Sequence, residues 1–245
     1  MAKLFNNLTT DDLEQSTDYL GGRNVFPSGC YIATIKAMYT SQAKSGAWGV
    51  TVLADIEGKP YTETIYITNK EGKNYFLNKQ DPTKKVPLPG FTLIDDLCLI
   101  GTEKPLSEQE WEEKVHMVYD SDVKKEVPTS LETDMDLIGK KVGLCILNEK
   151  VDKTKLEGNE YVPTGETFNK NRIVKIYHPE LKLTVAEARD ERDATFVDKW
   201  NDKFKDVEVD NSKGASKSTN NGTEGSPLKS QSSAAPRKSL FGNKK

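Results

Sequence analysis

The chain has 245 residues, 35% hydrophobic and 30% charged, with 35 Lys and Arg against 38 Asp and Glu for a formal net charge of -3. That length allows one large or two small domains, and so polar a composition predicts that part of the chain stays outside any core. No apolar run nears the ~20 residues of a membrane helix, and the opening MAKLFNNLTTDDLEQ lacks the basic and apolar regions of a signal peptide, so a soluble intracellular protein is expected.

Residues 1–24 read as an N-terminal arm, and the fold is expected over 25–207. Cys30 to Thr40 alternates with period two, which predicts a strand with Tyr31, Ala33, Ile35, Ala37 and Tyr39 on one face. After the turn at Ser45-Gly46, Val50, Val52, Ala54 and Ile56 repeat the pattern. Glu57-Gly58-Lys59-Pro60 then turns into a third strand over 61–68, with Tyr61, Ile65 and Ile67 inward and Thr62, Thr64 and Tyr66 outward. Three strands joined by short turns make an antiparallel meander.

A helix follows. Thr92 with Asp95 predicts its start, Leu93, Ile94, Leu97, Cys98 and Ile100 its apolar stripe, and Gly101 its stop. Residues 114–119, 141–147 and 172–177 read as further strands. Thr184 and Glu187 form a capping box opening a long C-terminal helix, along which Phe196, Trp200 and Phe204 recur as packing surface, flanked by Val197 and Val207. About six strands with helical insertions predict a mainly β fold of the small Greek-key barrel type. A five-stranded oligonucleotide-binding barrel has this size and strand density, as do other small barrels.

Catalytic signals are sparse. Cys30, Cys98 and Cys145 are odd in number and far apart, which argues against disulfides and zinc and predicts three buried thiols. His116 and His178 are isolated, so no metal site is expected. Neither G-x-S-x-G nor a phosphate-binding loop occurs. One enzymatic constellation stands as an alternative: Asp55 with Glu71 and Lys73 resembles the Asp…Glu-x-Lys by which some nucleases hold a divalent metal. Here its Glu-Gly-Lys part falls in an apparent turn rather than on a strand.

Charge and aromatics coincide elsewhere. Between Asn69 and Lys85 stand Lys70, Lys73, Lys79, Lys84 and Lys85 against Glu71 and Asp81, with Asn74, Tyr75 and Phe76 in the middle. Ammonium groups that track phosphates, beside rings on which bases stack, are what single-stranded nucleic acid requires. Lys36, Tyr39, Lys44, Trp48 and Tyr66 on the adjoining strands extend this candidate surface; for Tyr39 and Trp48 core packing is the equal alternative. Residues 103–136 are the opposite, with eleven Asp and Glu against four Lys, and read as a solvated face that repels nucleic acid.

From Asn211 to Ser239 the chain is rich in Ser, Gly, Asn and Lys, and 208–245 is expected to be a disordered basic tail. Its tip carries Arg237, Lys238, Leu240, Phe241, Lys244 and Lys245, which suits either a passive linker or a docking peptide; a protein-interaction adaptor, whose barrel binds one partner and whose tail recruits another, is the second alternative function. Leu4-Phe5-Asn6-Asn7 echoes Leu240-Phe241-Gly242-Asn243. The basic tip and the acidic segment 103–136 together predict contact between neighbouring copies on a strand.

The strings LFNNLTTDDLEQS, ETIYITNKEGKNYFLNK, KKVPLPGFTLIDDLC, YVPTGET, LTVAEAR and RKSLFGNKK span almost the whole chain. On them the chain resembles the single-stranded DNA-binding proteins of lytic podophages of the schitovirus type. That resemblance implies an oligonucleotide-binding (OB-fold) Greek-key barrel that coats single strands during phage replication and recombination, in the cytoplasm of the infected bacterium. It implies no catalysis, cofactor, metal or membrane. Lys70, Lys73, Asn74, Tyr75 and Phe76 lie in its central block and are the contacts it carries over. The tail is expected to reach replication, recombination or transcription proteins. Many single-strand binders end in an acidic tail; this one is basic.

Overall fold

The computed structural model describes residues 25–212 apart from 121, 122 and 159. The expected N-terminal arm and the tail tip lie outside the described residues. The meander is present as β1 (Gly29–Gln42), β2 (Trp48–Ile56) and β3 (Lys59–Tyr66), paired antiparallel in that order. Val50, Val52, Ala54 and Ile56 of β2 are buried as their alternation predicts, and Tyr61 and Ile65 of β3 join them.

The expected face of β1 needs correction. Ile35 pairs with Ala54 and Ala37 with Leu53, so Lys36 is an extra residue in the ladder. A bulge of this kind shifts the alternation by one. Ala33 and Ile35 point into the core, but beyond the bulge Met38 takes that place, and Tyr39 turns to the other side of the sheet.

Beyond β3 come the short hairpin β4 (Tyr75–Leu77) and β5 (Lys85–Pro87), then helix α1 (Pro89–Thr102). The helix starts earlier than Thr92 because Pro89 supplies a first-turn residue that needs no N–H partner. Gly101 does not end it. A side chain there would overlap Leu137, so this glycine serves close packing, and Glu103 in the left-handed conformation makes the stop. Ile94, Leu97, Cys98, Leu99 and Ile100 face β3 and the later strands Lys141–Glu157 and Glu160–Tyr177, and fill one end of the curved sheet. Each such aliphatic side chain contributes about 1.5–3 kcal/mol by leaving water.

The next two strands, β6 (Trp111–Asp120) and β7 (Lys125–Asp134), form a hairpin; the sequence pattern predicts the first and misses the second. β7 contains Pro128, which removes a donor and normally argues against a strand. It is tolerated because β7 pairs with β1 only at Thr133, leaving that edge open along most of its length. Strands β8 (Lys141–Glu157) and β9 (Glu160–Tyr177) run far beyond the expected segments as one long two-stranded ribbon. β8 also pairs with β1, and β10 (Glu208–Asp210) adds parallel to β8 just past the end of β1. Folded structure therefore continues past the expected boundary at 207.

The result is mainly β: a large, curved antiparallel sheet in the order β10-β8-β1-β2-β3, with β9 on β8 and the β6–β7 hairpin branching from β1. No ladder joins β3 to β9 among the described residues. That seam is spanned by the Glu63 carboxylate, which accepts the Ile173 N–H at 2.8 Å.

The expected long C-terminal helix is two short ones, α2 (Val185–Arg189) and α3 (Phe196–Phe204). The capping box at Thr184 and Glu187 is present. Phe196, Trp200 and Phe204 lie on α3 and pack with Val197 onto Cys145, Leu147 and Tyr177, forming a second small core on the outer side of the sheet. Val207 stays exposed. The cysteine expectation is also corrected: Cys30 and Cys145 are directly paired across β1 and β8 and are joined by a disulfide, and only Cys98 is a free, buried thiol. Separation by 115 positions hides this contact in the sequence, but strand pairing makes it adjacent.

Candidate nucleic-acid interface

The turn between β1 and β2, the end of β3 and the β4–β5 hairpin converge at one end of the meander. The Trp48 carbonyl accepts the N–H groups of Ile67 and Thr68, and the Thr68 hydroxyl accepts the Trp48 N–H at 2.9 Å. The backbone at Gly46 approaches the Lys70 carbonyl, and Tyr66 lies against Gly49. These contacts bring Trp48 and the start of the lysine-rich segment together at this end; Tyr66, paired with Gly49, lies at the same end but on the opposite face of the sheet from Trp48.

The segment itself is built by local hydrogen bonding. Asn69 Oδ1 accepts the N–H groups of Glu71 and Lys73, both at 2.9 Å, and the Asn69 N–H donates to the Lys73 carbonyl. An asparagine that folds the chain back on itself is a common turn device, and Gly72, at φ 75°, supplies the left-handed residue. The Leu88 N–H donates to the Asn74 carbonyl and ties the base of the β4–β5 hairpin to the start of α1. At the other end of that hairpin, Asn78 Oδ1 accepts the Gln80 N–H, and Asp81 accepts from Thr83 and pairs with Lys84.

The aromatic groups divide cleanly. Trp48 is 44% exposed, Tyr66 52% and Phe76 47%, so each has a ring face open to a ligand. Tyr75 is half-buried, and the Lys85 ammonium sits 4.5 Å from its ring centre. Tyr39 is withdrawn from the candidate surface. It is buried and stacked on His116, with ring centres 4.2 Å apart, because the Lys36 bulge turns it under the β6–β7 hairpin. His116 is fixed there by Thr133.

The lysines are exposed at 70, 73, 79, 84 and 85. Lys73 donates to Glu71 at 2.8 Å, and this hydrogen bond and charge hold the ammonium pKa above and the carboxyl pKa below their ordinary values. Asp81 is likewise lowered, first by the Thr83 hydroxyl and then by Lys84. Such surface pairs are weak and open to exchange for a phosphate. Lys44 lies in the β1–β2 turn beside this group. Lys36 does not belong to it: the bulge lies six residues back along β1 from Gln42, roughly 20 Å away at strand spacing.

The nuclease constellation is not assembled. Asp55 sits at the β2–β3 turn, where it accepts the Gly58 N–H, while Glu71 and Lys73 follow the opposite end of β3. The length of that ladder, about 20 Å, separates the carboxylates, too far to share one metal. His178 is engaged by its own turn, its Nδ1 facing the N–H groups of Glu180 and Leu181, and burial lowers its pKa.

Leu77, which with Phe76 could have anchored the loop to the core, is exposed beside that ring. One feature escaped the sequence reading. Val115, Met117 and Tyr119 form an exposed apolar stripe on β6, hidden in a segment whose acidity dominated its reading. The period-two spacing of 115, 117 and 119 was the available signal. Compared with known protein families, curated proteins and solved structures, the chain matches none.

Proposed function

We propose that this protein binds single-stranded DNA without sequence preference, through the surface formed by Trp48, Tyr66, Phe76 and the lysines between 70 and 85. The observation that carries the reading is the placing of exposed Trp48 and Phe76 and five exposed lysines at one end of the meander, with exposed Tyr66 at the same end on the other face of the sheet. Lysines release counterions from phosphates, and rings stack any base, at roughly 1–3 kcal/mol per stack. Lys44 and the Tyr75–Lys85 pair extend the surface at its two sides.

The order of elements supports the finer fold reading. A three-stranded meander, a helix across the barrel end, then a strand returning to pair with the first is the path of an oligonucleotide-binding barrel. With the resemblance carried by the sequence strings, this favours a podophage protein that coats strands during replication and recombination in the infected cell. No cofactor enters this reading.

Intrinsic fluorescence, titrated with a poly-dT oligonucleotide and then an equal-length duplex at two salt concentrations with magnesium, tests it. Quenching by the single strand that weakens with salt and is lost on Trp48→Phe is the expected result. No response to the single strand overturns it and favours a protein-binding adaptor. A shortened oligonucleotide overturns it in favour of a nuclease.

A further inference from the structure

On the β6–β7 hairpin, His116 faces Tyr39 and the sheet, so residues 113, 115, 117 and 119 of β6 and their cross-strand partners face away, while Trp111 and its partner Asp134, at the base of the hairpin, turn into the core. That outward face holds Val115, Met117 and Tyr119, 69%, 58% and 63% exposed, with Pro128 opposite Met117. Glu113, Glu126 and Glu132 lie around the stripe, and the outward positions of the two strands contain no Lys or Arg. Exposed Lys124 and Lys125 stand at the hairpin turn, beyond Glu126. Contiguous exposed apolar side chains on one strand, with carboxylates as the charged groups of their own face, mark an interaction surface.

The complementary chemistry is in the same chain. Arg237 to Lys245 has four basic side chains, no acidic one, and the apolar pair Leu240-Phe241 at its centre. We infer that the outward face of the β6–β7 hairpin binds the Arg237–Lys245 tip of a neighbouring copy, Leu240 and Phe241 covering Val115, Met117 and Tyr119 while the cations meet Glu113, Glu126 and Glu132.

Reach selects the neighbour. β10 ends beside Lys150 on β8, whereas the hairpin joins β1 at Tyr39; the pairings Gly29 to Ile146 and Tyr39 to Thr133 put these sites at opposite ends of β1. Strand spacing makes that separation about 45 Å. Between Ser212 and Arg237 lie 24 residues, and a flexible chain of that length has an average end-to-end distance of roughly 27 Å. Reaching the hairpin of its own molecule requires a stretched tail, whereas a copy alongside presents its hairpin at any closer distance. The inference stands without the DNA-binding reading, since neither surface includes a residue of the other.

The test uses the full chain. A protein with p-benzoyl-L-phenylalanine in place of Phe241 is mixed with an equal amount of uniformly 15N-labelled protein, irradiated, and its cross-linked peptides are identified by mass. Light tip joined to heavy hairpin peptide, centred on Met117, is expected. The yield falls about tenfold when the heavy chain carries Glu113→Lys, Glu126→Lys and Glu132→Lys, exposed sites whose reversal leaves the thermal unfolding curve in place. Adducts confined to the light chain's own hairpin, adducts elsewhere, or none above an unirradiated control overturn the inference.

Discussion

Glu63 on β3 and Ile173 on β9 are joined across the open seam of the sheet by a carboxylate oxygen that accepts a backbone N–H at 2.8 Å, and the same oxygen accepts the Tyr61 hydroxyl at 2.7 Å. Burial raises the Glu63 pKa above its ordinary value, opposed by the Ile173 and Tyr61 hydrogen bonds and by Arg172. The folded protein therefore holds this proton more tightly than the unfolded chain. Its contribution to stability is greatest in acid and declines as pH rises from the ordinary glutamate range through the folded value. Glu63→Gln keeps an acceptor and should remove that decline in a urea-denaturation series against pH. Glu63→Ala strands the buried Ile173 N–H and should cost about 1–3 kcal/mol at every pH.

Glu187 predicts the opposite pH dependence. Its Oε1 accepts the N–H groups of Thr195 and Phe196, while Oε2 accepts that of Thr184, so one carboxylate closes the starts of both α2 and α3. Burial raises its pKa, but these donors outweigh burial and the net shift is downward. The stabilisation is present at neutral pH and is lost as pH falls below the ordinary range. Glu187→Ala should cost about 1–2 kcal/mol at pH 7, as cap removals do, and much less near pH 3, measured by thermal unfolding at both.

The aromatic surface makes a sharper forecast. Trp48→Ala and Phe76→Ala should each weaken poly-dT binding by about 5- to 150-fold, the equivalent of one lost stack, with melting temperature unchanged because both rings are exposed. Tyr39→Ala should do the reverse. It removes a buried ring stacked on His116, so stability falls by about 3 kcal/mol while the folded fraction binds DNA normally.

Changing Lys70, Lys79 and Lys85 to Gln should make the dependence of log affinity on log salt shallower by roughly 0.7 per lysine lost from a phosphate contact. Lys36→Gln, at the distant bulge, should leave the slope alone. Equal effects at all four sites would point to general charge instead of a local surface.

Cys30 and Cys145 predict a redox-dependent thiol count. Alkylation in denaturant without reductant should label Cys98 alone, and with reductant all three cysteines, read by intact mass. Reduction should lower stability by about 2–5 kcal/mol, the range for a native disulfide.

Much of this architecture is legible in the chain because period-two burial and turn residues act locally. The β2 core face, the turns flanking it and the Thr184 box follow from neighbouring residues alone. What escaped is non-local. The Lys36 bulge becomes visible only through pairing with Ala54 and Leu53, and it decides whether Tyr39 is a ligand or a packing residue. The Cys30 pairing needs the register of β1 on β8, and β7 was masked by Pro128, whose missing donor is harmless only on an open edge. In the candidate interface, the segment 69–85 was legible because its lysines and rings are contiguous. Its union with Trp48 and Tyr66 follows from three-dimensional turn contacts.

Gly90 sits so close to the Tyr66 carbonyl that any larger residue there would overlap it, and the adjacent Leu88 closes on Asn74. The chain thus leaves the sheet at Tyr66 and returns to nearly the same point, having made its lysine-rich excursion in between. Because the excursion begins and ends in one place, its length is free of the spacing between β3 and α1. It is a cassette: residues can be added, removed or exchanged within it while β3 and α1 keep their positions, so its exposed side chains can diversify without rebuilding the core beneath them.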